Sequence, residues 1–275
     1  MSGFGGCLFR AARACLDAGS VEAKLTLTAE AGAAFAAGLL RITPDAPPPQ
    51  PIRQPGRPPR PRLVEPRTLA RRGLGSRQGR AAFIHAIAHI EFNAIDLAWD
   101  AIYRFRGLPD AFCADWVGVA TDEARHFALL QERMADFGHT YGDFDAHNGL
   151  WEMATRTAHS DLARMALVPR VLEARGLDVT PGMVAKLKAL GDLRTAEILG
   201  LILREEVAHV AAGTRWYRHC CARDGLDPRS TFRELLMAHA GSALRGPFNW
   251  PARHDAGFDQ AERDLIEALE AQAGD

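Results

Sequence analysis

The sequence contains two Glu-x-x-His motifs, each inside a long stretch with helical periodicity. The first is Glu123 to His126 and the second is Glu206 to His209. Residues three positions apart share a face of an α-helix, so each motif directs a carboxylate and an imidazole to one point. Two such helices, with one inward glutamate from each of two further helices, form a dinuclear carboxylate site in a four-helix bundle. The motifs therefore predict an all-α chain, and they require two more glutamates on core faces.

The composition is that of an ordinary globular protein, and it limits the classes of function. Of the 275 residues, 47% are hydrophobic and 24% are charged, and this length is enough for one sizeable core or two small ones. The net charge of −1 gives the chain as a whole no preference for a polyanion. The five cysteines include no C-x-x-C pair, so neither a disulfide scaffold nor a zinc ribbon is predicted. No apolar run is long enough for a membrane span and no signal peptide is recognised, so we predict a cytoplasmic protein without a membrane partner.

The N-terminal part divides into a helical stretch and a proline-rich stretch. Residues 5–18 and 20–40 are predicted to form two short helices. Residues 44–66 contain ten of the sixteen prolines, which excludes a helix or a central strand and predicts an extended chain. Nine arginines and one acidic residue, Glu65, lie between Arg53 and Arg80. Such an arm can contact RNA or another polyanion, but we favour a strap that lies over the helices with its arginines in solvent.

A long helical hairpin follows the proline-rich stretch. Its first helix is predicted over 79–106 and its second over 110–137, separated by the Gly107-Leu108-Pro109 stop signal. Glu91 and Glu123 each interrupt an apolar stripe, where a carboxylate is costly unless it is paired or bound to a metal. The midpoint of these two positions is residue 107, inside the turn. The hairpin therefore brings Glu91 and Glu123 level with each other.

Two more long helices complete the predicted core. The third runs from about residue 150 to 175, with a bend at Pro169 and interruptions at Gly176 and Thr180-Pro181. The fourth runs from about 192 to 222 and carries the second Glu-x-x-His motif.

The glutamate that the third helix contributes is left open by the spacing. A turn near Gly191 makes Glu173 level with Glu206, whereas a turn at 176–181 selects Glu152. Both glutamates lie on the same apolar stripe.

The remaining C-terminal stretch is predicted to be helical around a Gly/Pro-rich loop. Its last helix begins after Asp259, with Glu262 three residues on, as in a capping box. The chain is therefore divided into an N-terminal helical extension, a Pro/Arg-rich strap, a four-helix core and a C-terminal helical extension packed on that core: 1–43, 44–78, 79–225 and 226–275.

Several ordered segments resemble an uncharacterised bacterial family of ferritin-like proteins, known mainly as a domain of unknown function. The similarity extends from about Phe83 to Phe258. It rests on Ala86-Ile87-Ala88-His89-Ile90-Glu91, Asp122-Glu123-Ala124-Arg125-His126-Phe127, Leu172-Glu173-Ala174-Arg175-Gly176-Leu177-Asp178, Arg204-Glu205-Glu206-Val207-Ala208-His209-Val210 and Gly246-Pro247-Phe248-Asn249. The resemblance implies that 79–225 form a ferritin-like four-helix bundle.

The Glu173-Ala174-Arg175 element also resembles the third-helix ligand segment of the di-iron tRNA isopentenyladenosine hydroxylases. That resemblance favours Glu173 over Glu152, although those hydroxylases lack the Gly-Leu-Asp-Val-Thr-Pro interruption and this C-terminal tail, so their substrate is not transferred. By family analogy, the metal ligands are Glu91, Glu123, His126, Glu173, Glu206 and His209.

These ligands predict two iron ions as the cofactor, with manganese as the alternative, because imidazole and carboxylate suit both metals. The corresponding function is a di-iron oxygenase or oxidase that uses dioxygen and an electron donor to hydroxylate or oxidise a small-molecule or RNA-borne substrate, in a chain that is compatible with a homodimer. The alternatives are an iron-handling ferroxidase or storage protein, and a helical interaction module without catalysis. A four-helix bundle by itself is compatible with all three functions.

Overall fold

The computed structural model describes residues 4–43, 46–70, 73–239 and 244–274, and it is all-helical across these ranges. The α-helices are α1 (Leu8–Asp17), α2 (Val21–Ala36), α3 (Arg77–Arg104), α4 (Asp110–Ala135), α5 (Gly149–Arg156), α6 (Asp161–Leu167), α7 (Ala174–Ala189), α8 (Leu193–Asp224), α9 (Pro228–His239), α10 (Trp250–Asp255) and α11 (Gln260–Gly274). A π-helix, Val168–Glu173, joins α6 to α7, and a short 3₁₀ helix covers Pro66–Thr68. The predicted all-α class is confirmed.

The chain forms two compact units, residues 1–155 and 156–275, which we call unit 1 and unit 2. Unit 1 contains the predicted hairpin of α3 and α4, and unit 2 contains a second hairpin in which α6, the π-helix and α7 pack against α8. The single ferritin-like bundle and the predicted domain boundaries stay predictions.

In unit 1, α3 packs against α1 and α4, and α2 packs against α1 and α4. Ser76 caps the first turn of α3 by accepting a hydrogen bond from the Gly79 amide at 3.0 Å, and most residues of this helix, from Ala81 to Tyr103, are buried. Helix α2 is joined to α3 by polar contacts inside the core. Trp99 Nε1 donates to Thr28 Oγ1 at 3.0 Å, and the buried Lys24 ammonium pairs with Asp96.

Asp96 makes the stability of unit 1 sensitive to pH. Burial raises the pKa of this carboxyl from 3.8 to about 6, even though Lys24 opposes the shift. The folded state therefore holds a proton that the unfolded state has lost between those two pH values. Relative to an Asp96→Asn variant, which does not titrate, the wild-type protein should lose about 2 kcal/mol of stability as the pH rises from 4 to 7. Urea unfolding of both proteins at several pH values measures this difference, and parallel pH profiles would contradict it.

The proline-rich stretch lies along unit 1 as a strap. Trp151 Nε1 donates to the Arg53 carbonyl at 2.9 Å, and the Arg57 Nη1 group donates to Asn148 Oδ1 at 3.1 Å. Further along, the Val64 amide donates to the Ala146 carbonyl at 2.8 Å, and the Ala146 amide donates to the Arg62 carbonyl at 3.0 Å. The described part of the strap is thus fixed to the protein surface by its backbone, while residues 44–45 and 71–72 of the prediction lie outside the described residues.

The third predicted helix differs from the structure in two ways. It is not continuous from residue 150, because α5 ends at Arg156 and α6 starts afresh after Ser160, which caps it by accepting from the Ala163 amide at 3.1 Å. The predicted interruption at Gly176 and Thr180-Pro181 is also wrong, since α7 continues through both positions to Ala189. The cost of these helix-breaking residues is offset by packing of the buried face of α7, including Leu177 and Leu187, against α8.

The predicted bend at Pro169 takes the form of the π-helix. This segment approaches α8 closely at Gly213, where an added Cβ would lie 2.3 Å from Pro169 Cβ. A glycine at this position lets the two backbones come together.

Within unit 2, α9 packs against α6 and α8, α10 packs against α7 and α8, and α11 packs against α9. The predicted capping box is present: the Glu262 amide donates to Asp259 Oδ1 at 2.9 Å, and the Asp259 amide donates to Glu262 Oε2 at 3.1 Å. Across the described ranges, no helix has the length and hydropathy that a membrane crossing needs.

Candidate metal centre

The first predicted ligand set, Glu91, Glu123 and His126, is assembled within unit 1. Glu91 comes from the middle of α3, and the other two residues come from α4. The α3–α4 turn lies around residue 107, so the register that the sequence predicted brings these positions level. His126 Nδ1 lies 3.1 Å from Glu91 Oε2 and 3.6 Å from Glu123 Oε2. The three residues are buried, with exposed fractions of 4%, 1% and 0%, and each offers one ligand atom within 4.8 Å of the others.

The two carboxyl groups of the first ligand set are buried close together, and a positive charge beside them stabilises their ionised form. Burial, together with the neighbouring Glu123 carboxylate, raises the pKa of Glu91. The pKa of His126 is also raised: burial acts to lower it, but the hydrogen bonds with Glu123 and Glu91 outweigh burial. The imidazolium form of His126 therefore supplies a positive charge between two carboxylates. A metal cation can take over that role, and its binding would release the proton.

The second predicted ligand set, Glu173, Glu206 and His209, belongs to unit 2. Glu206 and His209 lie on the buried side of α8, and His209 Nδ1 is 3.4 Å from Glu206 Oε1. Glu173 is the last residue of the π-helix, which packs against α8, and its Oε2 atom has almost no contact with solvent.

The two glutamates that were considered for the third-helix position lie in different parts of the structure. The turn between α7 and α8 covers residues 190–192, next to the midpoint of 173 and 206, so Glu173 and Glu206 come level in the second hairpin. Glu152 lies on α5, which is not part of that hairpin, and its side chain is exposed. The assignment of all six residues as ligands of one dinuclear centre stays a prediction.

The donor atoms of the first ligand set fit a divalent metal ion. Two carboxylates and an imidazole form a hard, nitrogen- and oxygen-containing set, which suits iron, manganese or zinc. The described structure places no thiolate in the group, which argues against a structural zinc site. Buried ligands of this kind are costly without a counter-charge, and a bound cation removes the cost.

Tyr141 is a residue near the first ligand set that the sequence reasoning missed. It comes from the connection after α4, and its ring packs against Phe92 at 5.2 Å and Phe127 at 5.0 Å, the residues that follow Glu91 and His126. Its hydroxyl lies 2.8 Å from His89 Nδ1, while His89 Nε2 faces the His147 carbonyl at 2.9 Å. Since a carbonyl can only accept, Nε2 carries the proton and the Tyr141 hydroxyl donates to Nδ1.

The environment of His89 keeps its ring neutral. Burial lowers the pKa of this imidazole to about 4, and the nearby His85 and Arg57 charges act in the same direction. Tyr141 was not identified from the sequence, because a tyrosine in a polar connection carries no pattern that points to the core. Tyr141 thus packs against the rings of His85, His89, Phe92 and Phe127 in one aromatic cluster.

The chain was also compared with known proteins. Residues 17–264 match the model of a family described as "Protein of unknown function (DUF455)". A Haemophilus influenzae protein described as uncharacterized is 46% identical over 222 residues, which covers 78% of this chain and 76% of the relative. No solved structure matches the chain. The chain therefore belongs to the DUF455 family of proteins of unknown function.

Proposed function

We propose that this protein is a ferritin-like dinuclear metal oxidoreductase, with iron as the metal and dioxygen as the oxidant of an organic substrate. The observation that supports the proposal best is the buried group of Glu91, Glu123 and His126, in which two carboxylates share one imidazole. Buried carboxylates without a fixed positive partner are uncommon in protein cores. Where they occur together, they are typical of a site that binds a cation.

The internal repetition of the chain supports two metal ions rather than one. Each unit contains an antiparallel hairpin, and in each hairpin one segment offers a glutamate while the other offers a Glu-x-x-His motif. Taken together, the two ligand sets contain four carboxylates and two imidazoles. Four negative charges are balanced by two divalent cations, so the complete set is neutral when it holds two metal ions.

The residues of the chain then have separate tasks. The first ligand set and the second ligand set would each hold metal through two carboxylates and one imidazole. Phe92, Phe127 and Tyr141 pack together and stabilise the α3–α4 hairpin that carries the first set. Iron bound at such a centre supplies the electrons that activate dioxygen for hydroxylation or oxidation of a substrate.

Metal analysis of the full chain, purified without chelators, tests this proposal. We expect about two iron or manganese ions per chain, and rapid uptake of dioxygen when the ferrous-loaded protein is mixed with oxygenated buffer. Iron that continues to accumulate well beyond two ions per chain would instead identify an iron-handling protein. Absence of bound metal, even after anaerobic loading with ferrous iron, would refute the proposal and leave a helical interaction module.

A further inference from the structure

The π-helix that carries Glu173 is an unusual segment whose geometry must be maintained by its surroundings. A π-turn contains about one more residue than an α-turn, so it rotates the following side chains by roughly 100° relative to a continuous α-helix. Glu173 closes this segment. The direction of its side chain therefore depends on whether residues 168–173 keep the π conformation or relax to an α-helix.

Arg170, in the middle of the π-helix, is completely buried, and residues of the C-terminal extension contact its side chain. Its Nη2 group donates to Glu262 Oε1 in α11, and its Nε group faces Thr214 Oγ1 in α8 at 3.3 Å. The guanidinium also lies over three aromatic rings, with distances to the centroids of 4.2 Å for Phe232 and 4.6 Å for both Tyr217 and Phe258. One side chain thus ties the π-helix to α8, α9 and the C-terminal extension.

Glu262 is itself fixed at the start of α11. Its second carboxylate oxygen, Oε2, accepts the Asp259 amide hydrogen bond of the capping box at 3.1 Å. The capping box and the Arg170 ion pair therefore use the two oxygens of one buried carboxylate. A charged partner is required here, because a buried guanidinium without one is strongly destabilising.

A second anchor lies on the other side of Glu173, in the first turn and a half of α7. Arg253 of α10 makes a bidentate ion pair with Asp178, at 2.9 Å from Nε to Oδ1 and 2.7 Å from Nη2 to Oδ2. Asn249 adds a backbone amide bond to Asp178 Oδ1 at 3.0 Å and a side-chain bond to the Leu177 carbonyl at 3.1 Å. Arg175 donates in return to the Arg245 carbonyl.

We propose that the ion pairs Arg170–Glu262 and Asp178–Arg253 form a C-terminal clamp that fixes the π-helix and orients Glu173 for metal binding. Glu173 lies three residues after Arg170 and five residues before Asp178, so both ends of its segment are fixed by an ion pair. This inference rests on the proposed function and deepens it, because it makes Glu262 and Arg253 positioning residues of the metal centre. The C-terminal extension is then a part of that centre.

Cobalt(II) binding by the full-length, metal-free protein tests the clamp, with Glu262→Gln as the main variant. Glutamine keeps the size of the side chain but removes the charge that Arg170 requires. We expect one of two cobalt ions to bind about 10-fold more weakly, with a changed visible absorption spectrum that reports altered ligand geometry. Calorimetric titration gives the stoichiometry and the Kd of each ion.

Glu267→Gln is the matched control, because it makes the same chemical change on α11 in an exposed ion pair with Arg263 at 3.0 Å. It should leave both the cobalt affinity and the spectrum unchanged. If Glu262→Gln does not fold, Arg253→Lys serves in its place, since it keeps the charge but cannot pair with Asp178 through two nitrogens. That milder variant should change the spectrum in the same direction.

The outcomes separate the clamp from the proposed function. If the wild type binds two cobalt ions and the folded Glu262→Gln or Arg253→Lys variant binds them equally well with the same spectrum, the clamp is refuted and the metal centre stands. A lower stability of these variants without any change in cobalt binding also refutes it, because that is the signature of a purely structural role. A wild type that binds no cobalt refutes the proposed function, and the clamp with it.

Discussion

Combined replacement of Glu123 and Glu206 by glutamine is expected to abolish binding of both metal ions while the chain stays folded. The double variant removes one carboxylate from each ligand set, so each set keeps a single carboxylate and no longer balances the charge of a divalent cation. Glutamine conserves the side-chain volume in a buried site, which limits the cavity cost that alanine would add. Plasma mass spectrometry of the purified protein gives the metal content, and circular dichroism checks the helical fold.

The two single variants show whether the ligand sets act together. If they share one dinuclear centre, Glu123→Gln should lower the affinity for both metal ions, each by about 100-fold or more. The loss of a direct ligand costs more affinity than the loss of a residue that hydrogen-bonds to a ligand. Manganese-loaded wild type should also show the exchange-coupled magnetic resonance spectrum of two ions about 3.5–4 Å apart. Neither single variant should then give this spectrum.

Glu152→Gln is the control for these variants, because Glu152 was the other third-helix candidate and its side chain is exposed on α5. It should retain the full metal content, whereas Glu173→Gln should not. Two ions with unchanged affinity in the double variant would contradict the assigned ligands. Loss of one ion in a single variant, Glu123→Gln or Glu206→Gln, with the other ion bound as in wild type and no magnetic coupling in the native protein, would instead indicate two independent mononuclear sites.

The first ligand set was predictable because its signals are local. Glycine and proline at positions 107 and 109 mark the end of α3, and that turn fixes the register of Glu91 against Glu123 on α4. A glutamate in an apolar stripe is visible in the sequence as an exception that needs an explanation. The capping box at Asp259 was predictable for the same reason, since both of its partners lie within one turn.

The third helix was less predictable because its course depends on tertiary packing. Gly176 and Pro181 are strong local stop signals, yet α7 continues through them with its buried face against α8. No glycine or proline marks the break in the helix before Ser160. The π-helix adds an extra residue to the turn around Pro169, and periodicity arguments based on three- and four-residue spacing do not detect it.

The positioning residues around the two ligand sets could not be identified from spacing at all. Tyr141 reaches the first set from an irregular connection, and Glu262 reaches Arg170 across 92 positions of sequence. Neither contact leaves a periodic pattern. Such residues become visible only when the fold brings distant segments together.

Gly213→Ala is expected to destabilise unit 2 by about 2–3 kcal/mol, which is at the upper end of the usual cost of overpacking. The new methyl group would lie 2.3 Å from both Cβ and Cγ of Pro169, far inside van der Waals contact. The proline ring is rigid, and its neighbour Arg170 is fixed by Glu262, so the π-helix has little freedom to retreat. The gain in helix propensity from alanine, about 1 kcal/mol, offsets only part of this cost.

Gly200→Ala makes the same change in the same helix and serves as the control. The nearest atom to its added methyl group would be Arg204 Nη1 at 3.7 Å, an ordinary contact with a flexible side chain. This variant should be as stable as the wild type or more stable by about 0.5–1 kcal/mol, because alanine restricts the unfolded chain. Urea unfolding of the metal-free proteins measures both changes, and equal effects of the two variants would contradict the close approach at Pro169. Because Gly213 lies one helical turn after His209 and faces the segment that ends at Glu173, Gly213→Ala should also weaken metal binding, whereas Gly200→Ala should not.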